Sequence, residues 1–170
     1  AINQAVKKAL PVLLSLQPEI QIVHQVGEKN LEEYKSQLPA EVLSNPRYQM
    51  RAYFDDLAVA YAACDVAICR AGEMTISELG ASGTAAIFIP YPFAAQDHQT
   101  HNARAIESKG AARVIMQSEL TAELLVDHLK SLLHDDAKLQ SMRDAMRALG
   151  RPNAAADLAE QIKELSTAAG

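Results

Sequence analysis

The chain has 170 residues, of which 49% are hydrophobic, 22% charged and 5% aromatic, a composition typical of one globular domain with a full core. The net charge of −5 and the absence of tryptophan argue against a nucleic-acid-binding surface. Its two cysteines, Cys64 and Cys69, lack metal-binding spacing and are interpreted as small buried side chains in a reducing compartment, and no apolar stretch approaches the length of a membrane span.

The first third of the chain predicts a helix, a strand, a second helix and a loop. Apolar residues recur at helical spacing over Ile2–Leu16, which predicts an amphipathic helix that Pro11 can kink. The elements expected next are a strand over 20–26, a helix over 30–38, a loop over 39–46 and a strand over 48–54.

Helices and strands alternate through the rest of the chain, with glycine and proline between them. A helix over 55–63 takes Asp55 or Asp56 as its N-cap, and a helix over 73–82 ends at Gly83. The expected strands cover 66–69, 85–89 and 112–116, and the other helices cover 98–109, 121–133, 136–149 and 153–165.

The alternation defines the fold class. The strands are short, apolar and without a two-residue period, which is typical of a parallel sheet covered by helices on both faces. The sequence therefore predicts a single α/β domain, and ligands of such sheets bind outside the carboxyl ends of the strands.

The most informative stretch is CRAGEMTISE, over 69–78, which reads as a strand end, a tight glycine turn and the first turns of a helix. Such a junction directs free backbone N–H groups and the positive end of the helix dipole at one point, which favours phosphate. Glu78, on the same helix, is interpreted either as a solvated carboxylate or as an acceptor for two neighbouring hydroxyl groups. Together these features predict a nucleotide, and a nucleotide sugar above all.

Three motifs carry a resemblance to a known family. RAGEMTISE over 70–78, PYP over 90–92 and DHQTHNA over 97–103, in this order and spacing, resemble the donor-binding half of the MurG-type glycosyltransferases. The resemblance runs from about Ile2 to the C-terminus. It implies the C-terminal, Rossmann-like half of a GT-B fold, with UDP-N-acetylglucosamine as the donor and an undecaprenyl-diphospho-muramoyl-pentapeptide as the acceptor.

The resemblance also implies roles for individual residues. The main chain of Phe54, whose side chain is interpreted as a core aromatic, would read uracil, and Glu78 would bind the ribose. Arg70 would either hold phosphate or pair with Glu73 or Asp97. The backbone of Ala71, Gly72, Met74 and Thr75 would contact the diphosphate, and Gln99 and Thr100 would bind the sugar hydroxyls.

Other expectations concern what lies outside the chain. In the resembling family the donor domain opens with a strand and a glycine-rich loop, and both are expected to be absent here, together with an N-terminal acceptor domain that holds the catalytic base. The resemblance implies peripheral association with the cytoplasmic face of the inner membrane through that domain. No cofactor is expected and no metal site is visible, since no DxD pair follows a strand, although a divalent cation could still serve the activity. The alternatives are a UDP-sugar-binding subunit of a two-component transferase and half of a UDP-sugar epimerase.

Overall fold

The structure is a computed structural model that describes residues 1–16, 20–151 and 153–168. Five strands are present in this part of the chain: β1 (Ile22–Gln25), β2 (Tyr48–Arg51), β3 (Val66–Cys69), β4 (Ala85–Phe88) and β5 (Ala112–Val114). The helices are α1 (Ile2–Leu16), α2 (Leu31–Ser36), α3 (Ala40–Leu43), α4 (Leu57–Ala62), α5 (Glu73–Ser82), α6 (His98–Glu107), α7 (Ala122–Leu133), α8 (Asp136–Leu149) and α9 (Ala154–Ala168). Short 3₁₀ turns cover Glu28–Asn30 and Ala95–Asp97.

All pairs of strands are parallel, which confirms the predicted α/β class. The strands form two ladders, one of β1 and β2 and one in the order β3-β4-β5, where the sequence predicted one sheet. Ile22 lies opposite Tyr48 in the first ladder, and Ala67 lies opposite Ala86 in the second. The carboxyl ends of β3, β4 and β5 consequently meet at one edge, which we call the rim.

The core lies on both sides of β4, whose four residues are all buried. Ala85 and Ile87 belong to an apolar cluster that contains the buried faces of α1 and α7. Ala86 and Phe88 face a second cluster with Leu79 of α5 and residues of α6 and α8. This alternation follows from the two-residue period of strands, and it explains why β4 is apolar at every position.

The first ladder differs from the predicted pattern because it is covered on one face only. His24 and Tyr48 are buried, whereas Val23, Gln49 and Arg51 are exposed. Burial in β1 and β2 therefore alternates, as expected for strands with one open face.

Several element bounds differ from the predictions. Most strands are shorter than expected, and the loop predicted over 39–46 is wrong because it contains α3. Pro39 precedes this helix in an extended conformation, which proline favours before a first helical turn, and Val42 is buried against the core. Of the two expected caps of α4, Asp56 is the one used, since its carboxylate accepts from Val59 N at 3.1 Å.

Two glycines hold α5 in place beneath the rim. Gly83 ends α5 with φ of 68°, the left-handed conformation expected there. A Cβ atom on Gly150, which follows α8, would lie 2.3 Å from the carbonyl oxygen of Gly80, so α5 and α8 can approach only without side chains at this point. Within the described residues, no helix combines the length and apolarity needed to cross a membrane.

Candidate functional site

The candidate site lies at the rim and begins at the amino end of α5. Gly72 takes an extended N-cap conformation without a side-chain cap, and the first bond of the helix runs from Ile76 N to Gly72 O at 3.0 Å. The N–H groups of Glu73, Met74 and Thr75 precede that bond, and no hydrogen bond from them is found among the described residues. Three free donors at the positive end of a ten-residue helix form an anion-binding arrangement.

The turn before α5 is fixed from the side of α6. Ala71 is fully buried, and its carbonyl oxygen accepts a hydrogen bond from the amide of Asn102 at 3.3 Å. Gly72, the next residue, would meet no atom within 4 Å if it carried a Cβ. The surface over Gly72 is therefore open for close approach of a ligand.

Glu78 lies half-buried one turn further along α5. Within the described residues its carboxylate has neither a hydrogen bond nor an ion pair. Burial, and secondarily the charge of Glu78, raise the pKa of the Cys69 thiol to about 12. Burial also raises the pKa of Tyr61 to about 12, with further contributions from Cys69 and Glu78. An unpaired carboxylate in partly desolvated surroundings is well suited to accept hydrogen bonds from a ligand.

Phe54 follows β2 and presents its main chain at the surface. Its side chain is half-buried and belongs to neither apolar cluster, so the interpretation of a core aromatic is wrong. The Arg51 guanidinium lies 6.0 Å from the ring centroid. The N–H of Phe54 donates to Oε1 of Gln25, at the end of β1, at 3.0 Å.

Arg70 links the ends of three strands. Its Nη1 donates to the carbonyl oxygens of Ile89 and Pro90, each at 2.9 Å, and its Nη2 donates to Oε1 of Gln117 at 2.6 Å. The guanidinium carbon also lies 5.3 Å from the centroid of the Tyr91 ring, and burial lowers the pKa of Arg70. The expected pairing with Glu73 or Asp97 is not formed.

The loop from Pro90 to Asp97 contains the second motif and leads into the third. Gln96 and Asp97 have φ of 51° and 53°, which side chains other than glycine adopt at some cost in free energy. Asp97 directly precedes α6, but in this left-handed conformation its carboxylate makes no N-cap bond and instead accepts from the Thr100 hydroxyl at 2.6 Å. Oε1 of Gln99 accepts from Tyr91 N at 3.0 Å, which leaves the amide N–H groups of Gln99 as donors for a ligand.

The fold thus places most of the predicted residues on one edge, with Phe54 at the end of the neighbouring ladder. Sequence reasoning missed Gln25 and Gln117, which contact Phe54 and Arg70 from 29 and 47 residues away. The only signal for either was its place at or just after the end of a strand. No group of three or more His, Cys, Asp or Glu side chains in the described part of the chain could hold a metal ion.

Comparison with known protein families gives a match over nearly the whole chain. The profile described as "Glycosyltransferase family 28 C-terminal domain" matches residues 1–162. A Burkholderia cenocepacia protein named UDP-N-acetylglucosamine--N-acetylmuramyl-(pentapeptide) pyrophosphoryl-undecaprenol N-acetylglucosamine transferase is 41% identical over 160 residues, which cover 94% of this chain and 43% of the relative. The chain therefore spans less than half the length of this relative.

Solved structures agree with this result. The crystal structure of Acinetobacter baumannii MurG superposes with a TM-score of 0.77 and 34% identity, over 95% of this chain and 48% of that one. A Staphylococcus aureus MnaA structure solved with UDP has a TM-score of 0.70 but only 14% identity, over 97% of this chain and 42% of that one. The second likeness concerns the fold alone.

Proposed function

The chain belongs to the glycosyltransferase family 28 C-terminal domain family, and from this membership we propose that it forms the UDP-N-acetylglucosamine-binding half of an inverting N-acetylglucosaminyltransferase. The proposed acceptor is the undecaprenyl-diphospho-muramoyl-pentapeptide, so the reaction would convert lipid I to lipid II in peptidoglycan synthesis. The name of the relative that is 41% identical supports this assignment. The acceptor, the catalytic base and a peripheral membrane contact on the cytoplasmic face are assigned to parts of the enzyme outside this chain.

One observation carries the proposal: the free N–H groups of α5 and the unpaired carboxylate of Glu78 share one helix. Met74 and Glu78 are four residues apart, so they lie on the same face about 6 Å apart along the axis. That spacing suits a diphosphate at the helix end and the ribose of the same nucleotide at the carboxylate. A carboxylate can accept hydrogen bonds from both the 2′- and the 3′-hydroxyl.

The base and the sugar occupy opposite ends of this arrangement. The N–H and C=O of Phe54 match the acceptor and donor that a uracil edge presents side by side. Gln99 and Thr100, at the start of α6, face the sugar hydroxyls, and Gln99 offers donors there because its oxygen is engaged by Tyr91 N. Adenine also has an adjacent acceptor and donor, so hydrogen bonding to one residue does not exclude it. We expect the preference for uridine nucleotides from the smaller size of the pyrimidine ring.

The chemistry assigned to this half is stabilisation of the leaving group. The acceptor 4-hydroxyl attacks the anomeric carbon, the bond from that carbon to the diphosphate oxygen breaks, and the configuration inverts. Negative charge grows on the departing UDP, where the N–H groups and dipole at the amino end of α5 are already oriented. Contacts at Phe54 and Glu78 bind ground state and transition state alike, so their loss should raise KM more than it lowers kcat.

Calorimetric titration of the chain with UDP, UDP-N-acetylglucosamine, UDP-glucose and ADP tests the proposal. We expect UDP to bind more tightly than ADP, and UDP-N-acetylglucosamine to bind at least as tightly as UDP-glucose. Equal affinity for UDP and ADP would contradict the assignment of a uridine nucleotide. A preference for UDP-glucose would contradict the assigned sugar.

A further inference from the structure

The Arg70 guanidinium is hydrogen-bonded within the protein, unlike an arginine side chain that is free to bind phosphate. Its Nη1 donates to Ile89 O and Pro90 O, and its Nη2 donates to Gln117 Oε1. Each of these partners is neutral, so the guanidinium is held in place while its positive charge stays without a salt bridge among the described residues. Hydrogen bonds from a charged donor are among the stronger ones in proteins.

The Arg70 contacts determine where the loop after β4 begins. Ile89 and Pro90 directly precede Tyr91, whose ring covers the guanidinium at 5.3 Å and meets the Phe93 ring edge to face at 5.6 Å. Tyr91 N in turn donates to Oε1 of Gln99. A continuous series of contacts therefore runs from Arg70 through Tyr91 to the side chain assigned to the sugar.

Gln117 is the distant end of this series. It lies half-buried just after β5, 47 residues from Arg70, and outside all three motifs that carry the family resemblance. Within the described residues, its oxygen is the only side-chain hydrogen-bond acceptor of the guanidinium, and its 2.6 Å bond is the shortest hydrogen bond of Arg70. Without that oxygen, Nη2 would lose its protein acceptor and turn toward water, and the orientation of the whole group would relax.

We propose that Gln117 is a positioning residue for the donor sugar, which it serves by fixing Arg70 and, through Arg70 and Tyr91, the amide of Gln99. The inference rests on the proposed function, because the sugar contact of Gln99 is part of it. It extends that function by assigning sugar selectivity to a residue that does not itself touch the ligand.

Two substitutions distinguish the effect of the acceptor oxygen of Gln117 from the effect of the size of its side chain. Gln117→Met keeps the length of the side chain and removes the oxygen, whereas Gln117→Glu keeps an oxygen that can accept from Arg70. Gln140→Met is the matched control, since Gln140 is an exposed residue of α8 whose amide donates to Asp144 at 2.8 Å.

The first measurement needs no ligand: hydrogen exchange at the Tyr91 amide, followed by NMR. In Gln117→Met the exchange rate of the Tyr91 amide should rise about tenfold relative to wild type, while amides in β4 keep their rates. A tenfold rise corresponds to a decrease of about 1.4 kcal/mol in the free energy of the local opening that exposes the amide. Gln117→Glu and Gln140→Met should exchange as the wild type does. Unchanged protection of the Tyr91 amide in Gln117→Met would overturn the positioning role, whether or not any nucleotide binds.

The second measurement is the ratio of the dissociation constants for UDP and UDP-N-acetylglucosamine. We expect Gln117→Met to lower the advantage of the sugar nucleotide several-fold and Gln117→Glu to retain it. Both titrations are made at about 0.5 M salt, which screens the effect of the new charge on two ligands that differ in their own charge. An unchanged ratio in Gln117→Met would overturn the link to the sugar. Wild-type chain that binds no uridine nucleotide would overturn the proposed function, and the exchange measurement would still decide the positioning role.

Discussion

The main-chain N–H of Phe54 donates to the side-chain oxygen of Gln25 at 3.0 Å. The group assigned to read the base therefore already has an acceptor in the free protein, one that offers the same carbonyl chemistry as a pyrimidine. A bound uracil would replace the Gln25 oxygen, since one N–H cannot make two good hydrogen bonds at once.

Gln25→Met should for this reason bind UDP more tightly than the wild type. The substitution removes the competing oxygen, and because a surface hydrogen bond contributes about 1 kcal/mol, the gain should be about two- to fivefold in Kd by calorimetry. Gln49→Met, on the same exposed face of the ladder, is the control and should leave the Kd unchanged. Weaker binding in Gln25→Met would show that Gln25 contacts the base itself.

Glu73→Gln should also strengthen the binding of UDP. Glu73 is exposed in the first turn of α5, so its negative charge lies beside the free N–H groups assigned to the diphosphate and opposes an anion there. We expect a gain of about two- to threefold at low salt that shrinks at 0.5 M salt because of screening. Asp136→Asn, the corresponding change in the first turn of α8, should have no effect, and a gain that is independent of salt would contradict this electrostatic explanation.

Gly150→Ala should destabilise the fold. Gly150 has φ of −68° and ψ of 146°, which alanine adopts freely, so the whole effect comes from the new Cβ lying 2.3 Å from Gly80 O. Displacing α8 from α5 should cost about 1–3 kcal/mol of unfolding free energy, measured by urea denaturation. Gly72→Ala, which meets no atom within 4 Å, is the control, and equal stabilities of the two variants would contradict the close approach of the helices.

His24 should make stability depend on pH. Its ring contacts the Tyr48 hydroxyl at 3.1 Å and Asn3 Oδ1 at 3.2 Å, and burial lowers its pKa from 6.5 to about 4. The unfolded chain therefore binds the proton more readily, so the unfolding free energy is at its full value above pH 6.5 and falls as the pH decreases toward 4. The decline should approach about 1.4 kcal/mol per pH unit between pH 6 and 4.5.

The control for this prediction is His24→Gln, which cannot take up a proton. The difference between wild type and variant isolates His24 from His128, whose pKa is also lowered by burial and by Arg113. If the stabilities of the two proteins fell in parallel between pH 6 and 4.5, the assignment of a buried neutral His24 would be contradicted.

Local signals in the sequence were sufficient for α5 and its ends. Gly72, the helical spacing and Gly83 lie within twelve residues, and the structure has the helix with the bounds expected from them. Long-range contacts explain the failures. The hydrogen bond of Gln25 to Phe54 and that of Gln117 to Arg70 join segments whose proximity depends on the strand order, and no local pattern encodes it.

Tertiary contacts also decide the conformation of the loop after β4. An aspartate before a helix favours an N-cap, but Asp97 adopts φ of 53° and bonds the hydroxyl of Thr100 instead. The contacts of Tyr91 with Arg70 and Gln99 hold the start of this loop and of α6. Tertiary contacts therefore outweigh the local preference here, as is common near functional sites.

The most direct test of the account is the ribose contact of Glu78, measured as a thermodynamic cycle. Wild type and Glu78→Gln are each titrated with UDP and with 2′-deoxy-UDP, with Gln117→Glu as a control that alters charge at the rim away from the ribose. We expect the wild type to lose about tenfold in affinity when the 2′-hydroxyl is absent, as for one hydrogen bond to a charged group, and Glu78→Gln to lose much less. An equal loss in both proteins would contradict the assignment of Glu78 and, with it, the nucleotide site on α5.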